Sequence, residues 1–119
     1  MILVDTSVWI DHLRKGDAQL ARWLTDGLVL VHPFIVGEIA LGSLRQRKLI
    51  LESLQDLPRA IVASDAELLR AIEDWNLAGS GIGYVDAHLL ASARLSDTTR
   101  LWTRDRKLNG VAARLGLAL

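Results

Sequence analysis

Apolar residues along the chain fall into two patterns. Four short, mainly apolar runs, Ile2 to Val4, Leu28 to Val31, Ala60 to Ala63 and Leu101 to Thr103, have the length of strands buried on both faces. Each is followed by a stretch in which apolar positions recur at helical spacing. Asp5-Thr6-Ser7 supplies capping oxygens for a helix to about Leu13, and a second helix from about Asp17 to Asp26 is stopped by Gly27. Pro33 suits a first helical residue, so a helix to about Leu41 is expected, continuing after Gly42 as a polar helix through about Gln55. Ser64 and Glu67 match a capping box opening a helix to about Ala78. The loop Gly79-Ser80-Gly81-Ile82-Gly83 precedes a long helix to about Leu95, and a last helix runs from about Arg106 to Leu115.

Strands alternating with helices predict a parallel sheet covered on both faces, because right-handed crossovers lay each helix against it. The expected class is α/β, a three-layer α/β/α sandwich with a four- or five-stranded parallel sheet, Leu115 to Leu119 supplying a short edge strand. At 119 residues the chain fits one domain, 1–119.

Composition narrows the chemistry. Cysteine is absent, which removes disulfides, thiolate nucleophiles and zinc ribbons and fits a reducing compartment. Asp5 interrupts the first apolar run too early for a signal peptide, and no apolar run approaches a bilayer span, so a cytoplasmic protein with no membrane association is expected. Basic and acidic residues balance at 14 each, so any contact with phosphates must be local. Basic clusters stand at Arg14-Lys15, at Arg45, Arg47 and Lys48, and at Arg100, Arg104, Arg106 and Lys107.

The informative residues are carboxylates at places that pattern alone would make apolar. Asp5 and Asp105 follow the first and last runs, at the carboxyl edge of the sheet where α/β proteins bind ligands, although an aspartate there also serves as a helix cap. Glu38 has Phe34, Ile35, Leu41 and Gly42 at offsets of three and four, and Asp86 shares a helical face with Ile82, Leu89, Leu90 and Ala93. Both are expected on stripes facing the sheet. Charges there need an ion pair, for which Arg94 and Arg104 are candidates, or a bound cation. Four converging acids would outnumber those arginines, and a divalent ion reverses their mutual repulsion. Oxygen ligands without cysteine favour Mg²⁺ or Mn²⁺ over zinc. His12, His32 and His88 lack ligand spacing and are expected at the surface or hydrogen-bonded. Such a site suits phosphodiester hydrolysis by activated water, with Ser7 and Thr103 placed either to orient a ligand or, for Ser7, to cap a helix.

The chain resembles the PIN-domain nucleases, and within them the VapC-like toxins of bacterial toxin–antitoxin pairs. The resemblance runs through Met1-Ile2-Leu3-Val4-Asp5-Thr6-Ser7-Val8-Trp9-Ile10, Val36-Gly37-Glu38-Ile39, Gly83-Tyr84-Val85-Asp86-Ala87 and Leu101-Trp102-Thr103-Arg104-Asp105. It implies endonucleolytic cleavage of RNA with Mg²⁺ or Mn²⁺. Asp5, Glu38, Asp86 and Asp105 fall on the family's acidic positions, and Thr103 on its frequent hydroxyl. Asp5 and Asp86 would hold the ion most directly, while Glu38 and Asp105 complete its shell through water and help deprotonate the attacking water. The resemblance also implies a homodimer and inhibition by a small antitoxin protein. Trp9, Trp23 and Trp75 sit on helices where an exposed indole would anchor a partner, or else in the core with Trp102. Two rival classes are a non-catalytic regulator that keeps the fold and the acid cluster but binds its antitoxin or an operator-bound complex, and a phospho-acceptor domain. The second is disfavoured because the middle runs end in His32 and Ser64 rather than in acids.

Overall fold

The computed structural model describes residues 1–119. Strand β1 (Ile2–Val4) is completely buried and lies between β2 (Val29–Leu30) and β3 (Arg100–Trp102), parallel to both. The register pairs Leu3 with Leu30 on one side and with Leu101 on the other. Seven helices complete the fold: α1 (Thr6–Lys15), α2 (Ala18–Thr25), α3 (Pro33–Ala40), α4 (Arg47–Gln55), α5 (Asp65–Asp74), α6 (Tyr84–Leu95) and α7 (Arg106–Arg114).

The sheet has three strands rather than four or five. On each side a single parallel bridge, Val31 with Arg59 and Leu101 with Ala118, marks where an outer strand was expected. The run from Ala60 to Ala63 leaves the sheet after one exchange with Val31, because the next donor on that side would be Pro33, which has no N–H and opens α3, while the Ile61 amide faces the other edge and donates to Ser96 Oγ (3.0 Å). At the other edge Leu101 and the 117–119 segment exchange only two backbone hydrogen bonds.

Helix boundaries follow local chemistry. Asp17 caps α2, and Ser64 and Glu67 form the complete capping box at the start of α5. Replacing Ser64 with Ala removes one reciprocal bond and is expected to cost about 1 kcal/mol, read as a lower denaturant midpoint at unchanged slope. Helix α5 ends at Asp74, short of Ala78, since Asn76 takes a left-handed conformation (φ 55°) that stops a helix. The expected continuation after Gly42 is also interrupted. The Arg47 guanidinium bonds the carbonyls of Ala40 and Gly42, satisfying the end of α3, and Gln46 turns left-handed (φ 51°) before α4 begins.

A core of 25 buried residues runs from β1 through Val8, Leu20, Ile35, Leu68, Leu89, Leu90 and Leu108. None of the four indoles is exposed. Trp9 is buried, Trp23 packs edge-on against Trp102 with ring centres 5.3 Å apart, and the Arg94 guanidinium lies over Trp75. No helix is long and apolar enough to cross a membrane.

Candidate active site

The strand order β2-β1-β3 places β1 where successive connections leave in opposite directions. Right-handed crossovers then put the helices before β2 and those before β3 on opposite faces, opening a crevice beyond the carboxyl ends of β1 and β3. Asp5 follows β1, and Thr103 and Asp105 follow β3. The Asp5 amide donates to the Trp102 carbonyl (2.9 Å), binding the two strand ends together.

Asp5 precedes α1, yet its carboxylate caps nothing. It is buried, 7 % exposed, and Oδ2 accepts hydrogen bonds from Ser7 Oγ (2.7 Å) and Thr103 Oγ1 (2.8 Å). Ser7 Oγ accepts from the Arg104 amide and Thr103 Oγ1 from the Asp105 amide, so each hydroxyl proton is left for the acid. Capping is therefore excluded for both Asp5 and Ser7.

The other carboxylates are each held at one oxygen. Thr6 Oγ1 donates to Glu38 Oε1 (2.7 Å), the Gly83 amide to Asp86 Oδ2 (3.1 Å), and the Leu108 amide to Asp105 Oδ1 (2.9 Å). Asp105 is thus a helix cap as well. Glu38 does not sit on the buried stripe of α3. Ile35 and Ile39 form that stripe, whereas Phe34 and Leu41 are exposed at 38 % and 90 %, and Thr6 draws Glu38 toward the crevice from an exposed position. In all four acids the second carboxylate oxygen accepts no hydrogen bond from the chain.

None of the four is neutralised by a basic side chain. Arg104 pairs with Asp11 and with Asp17 (2.7 Å), and Arg94 donates to the Leu115 carbonyl (2.7 Å). Burial raises the Asp86 carboxyl above its ordinary value, the Gly83 amide opposes this, and the charges of Asp5, Asp105 and Glu38 raise it further. Acids from four separate segments therefore share one electrostatic neighbourhood. Their convergence stops short of a finished cage, since no three acidic or histidine side chains surround a common point at coordinating distance. An all-oxygen donor set, a free oxygen on every acid and uncompensated charge nonetheless fit a hard divalent cation. Glu38 and Asp105 are exposed and Asp86 is half-buried, so the site is open to solvent. Two surface hollows, one lined by Val31, Pro33, Val36, Gln55 and Arg59 and the other centred on Trp75 and Arg94, contain none of these acids. An open crevice suits a polymer better than an engulfed small molecule.

Sequence reasoning missed Thr6 as a partner of Glu38; the only signal was a hydroxyl directly after a strand-end acid. It also misplaced His88, whose buried Nδ1 has no partner, whereas His32 is hydrogen-bonded as expected although buried. His32 and His88 are fully buried, with ring centres 6.1 Å apart, beside Phe34 and Tyr84. His32 Nδ1 accepts the Phe34 amide (3.0 Å), and burial, aided by His88, lowers its pKa to about 4. His12 is hydrogen-bonded as expected, its Nδ1 accepting the Asp17 amide.

A family model described as the PIN domain matches residues 2–114, a span holding all four acids and Thr103. The chain belongs to the PIN-domain family. It is 47 % identical, over its whole length and 96 % of theirs, to proteins named Ribonuclease VapC32 from Mycobacterium tuberculosis strains CDC 1551 / Oshkosh and ATCC 25618 / H37Rv. PIN-domain ribonucleases generally depend on a divalent metal, which agrees with a donor set made only of carboxylate oxygens.

Proposed function

We propose that this PIN-domain chain is a divalent-metal-dependent endoribonuclease, the toxin of a toxin–antitoxin pair, acting as one nuclease domain. The observation that carries the chemistry is the four-acid crevice with one free oxygen on each acid and no basic partner. The 47 % identity to named ribonucleases along the whole chain supports RNA as the substrate.

Asp5 and Asp86 would hold Mg²⁺ or Mn²⁺ most directly, with Glu38 and Asp105 completing its shell through water. The bound ion would polarise a water for attack and offset negative charge developing at phosphorus. Thr103 and Ser7 fix the Asp5 carboxylate, so that its free oxygen keeps one orientation. One of Glu38 and Asp105, both exposed, would accept the proton of the attacking water as its oxygen bonds to phosphorus and the bridging P–O bond breaks. The departing oxygen is protonated from solvent.

On this reading the chain works in the cytoplasm, a placement supported by its lack of cysteine, as a homodimer controlled by a small antitoxin protein. The test is cleavage of an RNA panel by the purified protein. Mn²⁺ or Mg²⁺ should permit endonucleolytic cuts and a chelator should reduce them to background. Cleavage indifferent to chelation would remove the metal mechanism, and no cleavage of any RNA would favour the regulator.

A further inference from the structure

The acidic crevice leaves open what holds a polyanionic substrate beside it. Arg104, adjacent to Asp105 in sequence, is committed to Asp11 and Asp17. Lys107, the second residue of α7 and two positions after Asp105, is in no ion pair and no hydrogen bond. Its side chain lies instead along the loop that precedes α6. Lys107 Cδ and Nζ come within 3.0 and 3.2 Å of the point a Cβ on Gly81 would occupy, and Gly81 has the positive φ (+87°) that favours glycine. Two residues on, the Gly83 amide of the same loop holds Asp86.

That loop also has donors to spare. The amides of Gly81 and Ile82 find no acceptor within the chain, and Ser80 Oγ is buried without a partner. Two backbone N–H groups thus stand free on the five-residue segment that positions Asp86, and one ammonium lies against it. Such a group matches the tetrahedral oxygens of a phosphodiester, which takes hydrogen bonds from lysine and from backbone amides alike.

We propose that Lys107, with the Gly81 and Ile82 amides, binds a backbone phosphate of the RNA next to the one being cut. This rests on the endoribonuclease reading. Lys107 is a substrate-binding residue with no part in proton transfer. Its position explains how an acidic crevice in a chain of zero formal net charge draws in RNA: the attraction is confined to the rim.

The test compares wild type, Lys107→Gln and Lys107→Arg. Binding of labelled single-stranded RNA is followed by anisotropy in chelator across a salt series, cleavage in Mn²⁺, and Mn²⁺ affinity by its electron spin resonance signal. Lys107→Gln should weaken RNA binding about five- to tenfold and flatten the slope of log affinity against log salt by about 0.7, with Lys107→Arg close to wild type. KM should rise more than kcat falls, and Mn²⁺ affinity should hold or improve. An unchanged salt slope overturns the assignment. So does a loss of Mn²⁺ affinity parallel to the loss of RNA binding, which would make Lys107 a brace for the Asp86 loop. If wild type cleaves RNA and Lys107→Gln matches it, the Lys107 assignment alone falls; if wild type neither binds nor cleaves RNA, the nuclease reading falls with it.

Discussion

Asp86→Asn should make the metal-free protein more stable at neutral pH while abolishing both cleavage and the response to Mn²⁺. The folded state raises the Asp86 pKa above the ordinary value of 3.8, through burial first and then the charges of Asp5, Asp105 and Glu38. Below the unfolded value both states carry the proton and no penalty exists. As pH rises through the window between the ordinary and the raised value, the unfolded chain loses its proton first. Stability therefore falls across that window and stays lower above it. Asparagine has no proton to lose and keeps an oxygen for the Gly83 amide, so the variant's advantage should be absent in acid and complete by neutrality. Mn²⁺ at about a hundred times its Kd should stabilise wild type by about 2.7 kcal/mol and the variant hardly at all. Thermal melts at two pH values, with and without Mn²⁺, check all of this. A variant that melts below wild type at neutral pH, or that still cleaves, would remove Asp86 from the cluster.

The parts of this site that pattern could reveal are those where a carboxylate interrupts an apolar run. Asp5 and Asp105 were legible because they end β1 and follow β3, and strand ends at a switch point face a crevice whatever the loops do. Asp86 was legible at the third position of α6, although its partner there is the backbone amide of Gly83 rather than a side chain. Glu38 was found for a partly mistaken reason. The stripe assigned to it belongs to Ile35 and Ile39, and it reaches the crevice only because Thr6, thirty-two residues away, pulls it over.

What stayed hidden depended on tertiary partners. The outer strands have suitable composition, but a strand exists only while its partner offers a ladder, and beyond Val31 the partner chain turns into α3 at Pro33, which has no N–H to give. His32 and His88 share no spacing along the chain and meet only because the start of α3 lies against the second turn of α6. Lys107 read as one member of a basic cluster. Its distinction is that its side chain lies along the Gly81 loop while Arg104 is spent on Asp11 and Asp17, and only contacts formed across the fold can show this.

Asp5 permits the sharpest separation of fold from function. In Asp5→Asn the amide oxygen can take the place of Oδ2 and accept from Ser7 and Thr103, turning the NH₂ group to where the free oxygen stood. A donor cannot bind a cation. The variant should fold with a melting temperature at or above that of wild type, bind no Mn²⁺ and leave RNA uncut. Thr103→Val is the complementary change. It keeps the charge and nearly the shape but removes one of two donors to a buried carboxylate, so Asp5 should drift in orientation and Mn²⁺ affinity should fall about 10- to 100-fold. Excess Mn²⁺ should then restore cleavage in Thr103→Val and fail to restore it in Asp5→Asn. Rescue of both would make the Asp5 charge dispensable. Rescue of neither would mean that Thr103 acts on the reaction itself rather than on the acid it holds.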